Sequence, residues 1–235
     1  MTKANAWILA ARPKTLSASL VPIIAATGLV KGLGYSVEIW IVVCALFSSF
    51  AIQIGTNLVN DAMDFKKGAD TKDRIGPARV TQQGLFTYKQ VMIAAAIFFT
   101  IAVLFGIPLV IHGGYPIVAI GVVSVLMGYA YTSGPMPLAY HGMGDLFVIL
   151  FFGLVAVGGL TYLLTGQYLV ESFILGLQIG FLSTVLIAIN NLRDLETDKL
   201  VSKKTLAVRF GLTGARFWIG FLIIGPFLTG YYWIY

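Results

Sequence analysis

Long apolar stretches dominate the chain and are separated by short polar segments. A transmembrane helix needs about 20 consecutive, mostly apolar residues, and seven stretches approach or exceed that length. They are residues 16–35, 38–59, 90–111, 115–132, 146–166, 172–192 and 215–235. The pattern therefore predicts an all-α, polytopic transmembrane helical bundle, in which residues 1–235 form a single domain.

Composition agrees with this prediction and excludes most soluble classes of protein. Hydrophobic residues occupy 58% of the 235 positions and charged residues only 11%, whereas soluble domains carry roughly 25% charged residues. The net charge of +6 does not indicate a nucleic acid partner, because the basic residues of membrane proteins collect in cytoplasmic loops. The single cysteine, Cys44, lies within an apolar span and permits no intramolecular disulfide.

The basic residues test the predicted topology. When the N-terminus is placed inside, fifteen of the sixteen Lys and Arg residues fall on one side of the membrane, and only Lys31 falls on the other. The positive-inside rule makes that side cytoplasmic. We therefore predict a multi-pass protein of the cytoplasmic (inner) membrane, with a cytoplasmic N-terminus. The loops after the second and sixth spans are expected on the same side.

Seven of the ten acidic residues fall in two short windows within those two loops. The first window runs from Asn57 to Asp73, and the second runs from Asn190 to Asp198. A charge at the end of an apolar helix is costly unless a cation meets it, and Lys and Arg residues are interleaved with both windows. The windows therefore predict a site for metal ions and an anionic ligand.

The spacing within each window predicts which oxygen atoms converge. Asn60 and Asp64 are four residues apart, as are Asn190 and Asp194, and Asp194 and Asp198. On a helix, residues i and i+4 share a face. Carboxylate and amide oxygens suit Mg²⁺, which takes one or two carboxylates together with water and substrate phosphate. Asp61 lies one step off the first face, where it either bridges an ion or caps a basic side chain. Asp70 is expected on a loop that folds back over the site.

Basic side chains beside the windows suit a diphosphate, since Arg in particular makes bidentate contacts with phosphate. The candidates for diphosphate binding are Lys67, Arg74, Arg79, Lys203 and Lys204. For the outer charges, such as Asp73 and Lys199, a simply solvated loop is an equally good interpretation. That interpretation suits Asp64 and Asp194 less well, because they abut apolar spans.

Asn60-Asp61-Ala-Met-Asp64 resembles the N-D-x-x-D signature of the UbiA superfamily of membrane prenyltransferases. Three further segments are similar to the branch that prenylates 1,4-dihydroxy-2-naphthoate: 67–79, 129–145 and 190–211. The resemblance, which extends from about residue 5 to the end, implies a helical bundle around a central cavity. It also implies transfer of a polyprenyl group from prenyl diphosphate with decarboxylation, giving demethylmenaquinone in menaquinone biosynthesis. Members usually have nine spans, so seven spans would indicate that the last two are missing.

The same resemblance implies Mg²⁺ as cofactor and polyprenyl diphosphate, an aromatic acid acceptor and the lipid bilayer as partners. Among the acidic residues, it makes Asp64, Asp194 and Asp198 catalytic. The full set of candidate metal ligands is Asn60, Asp61, Asp64, Asp70, Asn190, Asp194 and Asp198. An aromatic ring stabilises a prenyl carbocation by cation–π contact, and we favour Tyr131 for this role. For Tyr140, packing or interfacial anchoring is at least as good an interpretation. Asp145 either orients loop residues or binds the aromatic substrate.

Three alternatives remain at this point. Another aromatic acceptor, such as 4-hydroxybenzoate, homogentisate or haem, fits the same superfamily. A cation transporter is less favoured, since transporter acids usually lie near the bilayer midplane whereas these lie at helix ends. A truncated, inactive relative is the third. The apolar end, Tyr231–Tyr235, agrees with that alternative or with an aromatic belt at the membrane interface.

Overall fold

The computed structural model describes residues 2–68 and 79–234, and every regular element in those ranges is helical. Asp70 and Arg74, two of the predicted site residues, lie outside the described residues. In chain order the α-helices are α1 (Lys3–Ala11), α2 (Ser17–Gly32), α3 (Ile39–Lys66), α4 (Tyr88–Gly113), α5 (Tyr115–Ala130), α6 (Gly144–Val148), α7 (Ala156–Thr165), α8 (Val170–Arg193), α9 (Leu195–Leu200) and α10 (Leu206–Thr229). A π-helical segment, Ile149–Val155, joins α6 to α7.

Each of the seven predicted segments coincides with a helix or a helical pair, but two boundaries differ substantially. Helix α3 continues to Lys66, seven residues past the predicted end at 59. Helix α10 begins at Leu206, nine residues before the predicted start at 215, but it is kinked at Gly211 (φ 68°, ψ −173°), so the part after the kink agrees with the prediction more closely. In the described ranges, five helical stretches are long and apolar enough to cross a membrane. The pair formed by Lys3–Thr15 and α2, bent by 46°, makes a sixth candidate. Helix α5, with 16 residues, is shorter.

The helices pack around two main apolar clusters near opposite ends of the bundle. At the end that carries the first window, Leu58 and Ala62 of α3 pack against Ala6 and Ala10 of α1. The rings of Trp7 and Phe86 stack there with centroids 4.1 Å apart. The other cluster joins α2, α3, α4, α5, α7 and α8. The window end of α3 is therefore embedded in the protein, which explains why the helix continues beyond the predicted span.

The π-helical segment packs unusually close to α8 through three glycines. Gly176 and Gly180 are four residues apart on α8, and both face Gly153 of the π-helical segment. A Cβ atom at Gly180 would lie 2.7 Å from the carbonyl oxygen of Ile149. Small residues at this spacing let membrane helices approach closely, and π-helical turns often mark functional sites. Here the segment directs Phe151 and Phe152 towards the cavity described below.

Candidate active site

A cavity of about 850 Å³ extends through the bundle, with an apolar interior and a polar mouth. The interior is lined by side chains of α2, α3, α5, α7, α8 and the π-helical segment, among them Ile52, Ile120, Phe151 and Leu160. The mouth is lined by Asn60 and Asp64 of the first acidic window, Asn190 and Asp194 of the second, and the basic residues Arg79 and Lys203 that follow them. Two segments about 130 residues apart in sequence thus meet where an elongated apolar cavity opens.

Asp64 lies at this mouth with both carboxylate oxygens engaged. Its side chain is buried, Arg79 forms an ion pair with Oδ2 at 2.9 Å, and the Tyr140 hydroxyl donates to Oδ1 at 2.9 Å. A buried carboxylate is tolerated because a cation and a hydrogen-bond donor compensate for its lost hydration. Arg79, whose side chain is also buried, is thereby held at the mouth.

Asp61, one residue off that face, makes contacts that neither sequence-based alternative anticipated. Its oxygens accept hydrogen bonds from the backbone N–H groups of Val80 and Thr81, each at 3.0 Å. The carboxylate is buried, so these two bonds fix the chain immediately after Arg79. Asp61 therefore positions the segment that supplies the Asp64 ion pair.

Two asparagines connect the first window to its neighbours. Asn60 Oδ1 accepts a hydrogen bond of 2.6 Å from the Thr132 hydroxyl, while its side chain also lines the cavity. Asn57, one turn earlier, donates to the carbonyl of Ala11 at 3.1 Å and to Thr15 Oγ1 at 2.9 Å. Asn57 thus fastens α3 to the corner between α1 and α2, and it leaves Asn60 on the cavity side.

The second window bends where the sequence predicted a continuous helical face. Helix α8 ends at Arg193, and Asp194 leaves helical geometry (φ −90°, ψ 9°) before α9 begins. The backbone N–H of Asp198 donates to the Asp194 carbonyl at 2.8 Å, and this bond starts α9 with Asp194 as its N-cap residue. Arg193 binds both Asp194 oxygens at 2.7 Å. Asn190 is exposed at the mouth.

Asp198 is the carboxylate whose surroundings best fit a metal ion. It is buried, Lys203 Nζ lies 3.6 Å from Oδ1, and Oδ2 has no hydrogen-bond partner among the described residues. Burial raises the pKa of Asp198 above its ordinary value, although the charge of Lys203 opposes that shift. A buried oxygen without a partner is costly, and a bound cation would remove that cost.

The donor set as a whole fits Mg²⁺ carried by a phosphate ligand. In 2–68 and 79–234, no three acidic, histidine or cysteine side chains converge into a ready metal cluster. Mg²⁺ usually binds one or two carboxylates and completes its shell with water and substrate phosphate. The oxygen donors at the mouth therefore suit ions that arrive with a diphosphate better than ions held by protein alone.

The predicted cations lie in different positions around the mouth. Lys67 Nζ donates to the Thr132 carbonyl at 2.7 Å and lies 4.3 Å from the centroid of the Tyr140 ring. Lys203 Nζ lies 5.5 Å from the same centroid. Lys204 is exposed, and its backbone N–H donates to the Tyr140 carbonyl at 2.9 Å. The contacts of Tyr140 with both windows were not anticipated from the sequence.

Behind the mouth, Asp145 lies in a buried polar contact that joins three helices. Its carboxylate accepts hydrogen bonds from Asn191 Nδ2 of α8 at 3.1 Å and from Trp218 Nε1 of α10 at 2.8 Å. Tyr131, the aromatic residue favoured from sequence, lines the cavity with its ring centroid 5.5 Å from that of Phe147. The contact of Trp218 with Asp145 could not be predicted from the sequence, because the two residues lie 73 positions apart.

Comparison with known proteins identifies similar sequences and similar folds. The family model described as the UbiA prenyltransferase family matches residues 19–235. The 1,4-dihydroxy-2-naphthoate octaprenyltransferase of Escherichia coli (strain K12) is 33% identical over 96% of this chain and 75% of its own length. The protein of the same name from Bacillus subtilis (strain 168) is 34% identical over 95% of this chain and 70% of its own.

Solved structures with 15–17% identity show the same fold. A UbiA homolog from Archaeoglobus fulgidus bound to GPP and Mg²⁺ aligns with a TM-score of 0.76 over 97% of this chain and 77% of that one. The same homolog bound to DMAPP and Mg²⁺ aligns with a TM-score of 0.72 over 96% and 76%. The predicted all-α transmembrane bundle is thereby confirmed.

Proposed function

Because the chain belongs to the UbiA prenyltransferase family, we propose that it transfers a polyprenyl group from prenyl diphosphate to 1,4-dihydroxy-2-naphthoate, with loss of carbon dioxide. Relatives at 33–35% identity carry the name of this activity, which belongs to menaquinone biosynthesis. The observation that carries the proposal is the single mouth where two acidic windows and their cations open into an apolar cavity. A prenyl diphosphate has the same division into a charged head and an apolar chain.

In this proposal the diphosphate lies at the mouth and the prenyl chain lies in the cavity. Oxygens of Asn60, Asp64, Asn190, Asp194 and Asp198 would hold Mg²⁺, an assignment supported by the hard donor set and by Asp198 Oδ2, which has no partner within 2–68 and 79–234. The UbiA homolog solved with DMAPP and Mg²⁺ supports this assignment by analogy of fold. Asp61 positions Arg79 through the backbone of Val80 and Thr81.

The residues at the mouth stabilise the departing diphosphate. When bound, Mg²⁺ neutralises negative charge on the diphosphate oxygens. Lys67, Arg79 and Lys203 add fixed positive charge where the electron pair of the breaking allylic C–O bond accumulates. A carbon of the naphthoate ring forms the new C–C bond, and the carboxylate leaves as carbon dioxide, returning its bonding pair to the ring.

The interior is mostly apolar and its polar lining includes uncharged side chains such as Ser48, Gln53 and Ser124. An environment of this kind limits the access of water to the prenyl cation. Tyr131, Phe147 and Phe151 form a row of rings along one wall, with neighbouring centroids 5.5 Å and 4.3 Å apart. Their negative faces suit a passing carbocation. We assign Tyr131 the position nearest the reacting carbon. Of the three aromatic residues, it is the one adjacent in sequence to Thr132, whose hydroxyl donates to Asn60 at the mouth.

The location also belongs to the proposal. The chain is a multi-pass membrane protein by helix length and composition. The clustering of fifteen of its sixteen basic residues on one side supports a cytoplasmic mouth in the inner membrane.

The test is incubation of the purified protein with prenyl diphosphates of several lengths, Mg²⁺ and each acceptor in turn. We expect prenylated, decarboxylated product from 1,4-dihydroxy-2-naphthoate, loss of product on chelation of the metal, and recovery on adding Mg²⁺. If 4-hydroxybenzoate, homogentisate or haem were prenylated faster, that compound would be the acceptor instead of 1,4-dihydroxy-2-naphthoate. No product from any acceptor would overturn the enzymatic function.

A further inference from the structure

We propose that Tyr140 is the positioning residue that couples the two acidic windows, an inference that rests on the proposed function. Tyr140 belongs to neither window. It lies in the short 3-10 turn Leu138–Tyr140 between α5 and α6, a turn without a basic residue. Its hydroxyl reaches a carboxylate of the first window. Its ring contacts Lys67 of the first window and Lys203, which pairs with Asp198 of the second window, and its backbone bonds to Lys204.

The Tyr140 hydroxyl fixes the orientation of the Asp64 carboxylate. It donates to Oδ1 at 2.9 Å, while Arg79 engages Oδ2. A carboxylate that is to bind a metal needs an outer partner that fixes its orientation, and loss of such a partner typically weakens metal sites about 10- to 100-fold. A bound diphosphate would compete with Asp64 for Arg79. Tyr140 is neutral, so it can keep its hydrogen bond to Asp64 while the diphosphate is bound. The hydroxyl is therefore suited to hold Asp64 in place when the ligand binds.

The ring holds two cations on one face of the site. Lys67 Nζ lies 4.3 Å and Lys203 Nζ 5.5 Å from its centroid, both within the range of cation–π attraction. Two ammonium groups this close repel each other, and the electron-rich ring reduces that cost together with the Asp198 carboxylate, which lies 3.6 Å from Lys203 Nζ. The loop thus contributes no charge of its own but contacts one lysine of the first window and one that follows the second.

The backbone sets the position of the ring. The N–H of Lys204 donates to the Tyr140 carbonyl at 2.9 Å, and Arg209 Nη2 donates to the His141 carbonyl at 2.7 Å. On the other side, the N–H of Ala139 donates to the Tyr131 carbonyl at 2.9 Å. The backbone therefore fastens the turn to the segment that follows the second window, while the Tyr140 hydroxyl bonds to the first window.

The ring and the hydroxyl are separable by two substitutions. Tyr140→Phe removes the bond to Asp64 and keeps the ring, and Tyr140→Leu removes both. The pair formed by Tyr88 and Lys66 is a matched control, because Lys66 Nζ lies 5.5 Å from the Tyr88 ring at the same end of α3. Neither residue lines the cavity or belongs to the proposed machinery.

The first measurement needs neither metal nor substrate. Lysines of the purified protein are labelled with a short pulse of an amine-reactive reagent and quantified by mass spectrometry. We expect Tyr140→Leu to raise the labelling rates of Lys67 and Lys203 about twofold to fivefold and Tyr140→Phe to leave them unchanged. Tyr88→Leu should affect Lys66 alone. Unchanged rates at Lys67 and Lys203 in Tyr140→Leu would overturn the role of the ring.

The second measurement is kinetic. We expect Tyr140→Phe to raise KM for prenyl diphosphate and the Mg²⁺ concentration for half-maximal rate about tenfold, with KM for the aromatic acceptor unchanged. A residue needed only for folding would lower kcat and leave both KM values alone, and that result would overturn the role of the hydroxyl. If the wild-type protein forms no product, the proposed function fails. The labelling result, together with calorimetric binding of Mg²⁺ and inorganic diphosphate, still decides the role of Tyr140.

Discussion

The two acidic windows present carboxylates to the same mouth but are built differently. In the first window all four oxygens of Asp61 and Asp64 have protein partners, and both side chains are almost fully buried. In the second, Asp194 pairs with its own neighbour at a helix junction and is 20% exposed, and Asp198 keeps one buried oxygen without a partner among the described residues. Under the proposed function, the first window therefore serves folding and ligand binding together, while the second serves mainly ligand binding.

The largest expected effects are those of Asp64→Ala and Asp194→Ala. Each should lower turnover by at least about 10²-fold, because each removes negative charge that holds metal at the developing diphosphate. Only Asp64→Ala should also destabilise the protein, by about 3–5 kcal/mol, since it breaks the buried ion pair between Asp64 and Arg79. Product formation and thermal unfolding in detergent measure the two effects. Wild-type turnover in either variant would refute the two-window site.

Asp198→Asn tests whether the second window binds ligand without stabilising the fold. We expect turnover to fall by about 10²-fold, while the unfolding temperature stays the same or rises, because the substitution removes a carboxylate whose charge burial disfavours. The matched control is Asp64→Asn, in which Arg79 loses its ionic partner and stability falls. An equal loss of stability in the two asparagine variants would contradict the proposed difference between the windows.

The sequence predicted the parts of this arrangement that depend on periodicity and charge. The apolar spans, the side of the membrane shared by both windows, and the helical pairing of Asn60 with Asp64 all follow from local patterns. The partners of Asp61, the contact of Trp218 with Asp145 and the reach of Tyr140 to Asp64 are non-local, joining residues 19, 73 and 76 positions apart. Such contacts depend on how helices pack, which hydropathy does not encode.

The bend at Asp194 shows a different limit. Nothing in the composition of residues 190–198 disfavours a helix strongly, so the four-residue spacing predicted one continuous face. The structure keeps the hydrogen bond from Asp198 to Asp194 but turns the chain between α8 and α9. Helix α9 then packs Leu195 against Ala207 and Ala215 of α10, a tertiary contact that overrides the local preference for a straight helix.

Asp61→Ala separates a positioning role from the predicted role as metal ligand. Loss of the carboxylate leaves the buried amides of Val80 and Thr81 without their acceptor, which should cost about 1–3 kcal/mol of stability. Displacement of Arg79 should raise KM for prenyl diphosphate severalfold and leave measurable turnover. Asp61→Asn, which keeps one acceptor oxygen, should recover part of both losses. If Asp61 were a metal ligand instead, both variants would be as inactive as Asp64→Ala.

The smallest effect is expected for Arg193→Ala, which removes the partner of Asp194. This ion pair is partly exposed, with side chains 34% and 20% accessible, and such pairs contribute about 0–1 kcal/mol to stability. Thermal unfolding should therefore barely change. Because Asp194 loses a competing cation, the Mg²⁺ concentration for half-maximal rate should fall or stay constant. The equivalent change in the first window, Arg79→Ala, should destabilise the protein and raise KM for prenyl diphosphate. An equal loss of thermal stability in Arg193→Ala and Arg79→Ala would show that burial does not distinguish the two windows. The proposed difference between a window that stabilises the fold and a window that mainly binds ligand would then be wrong.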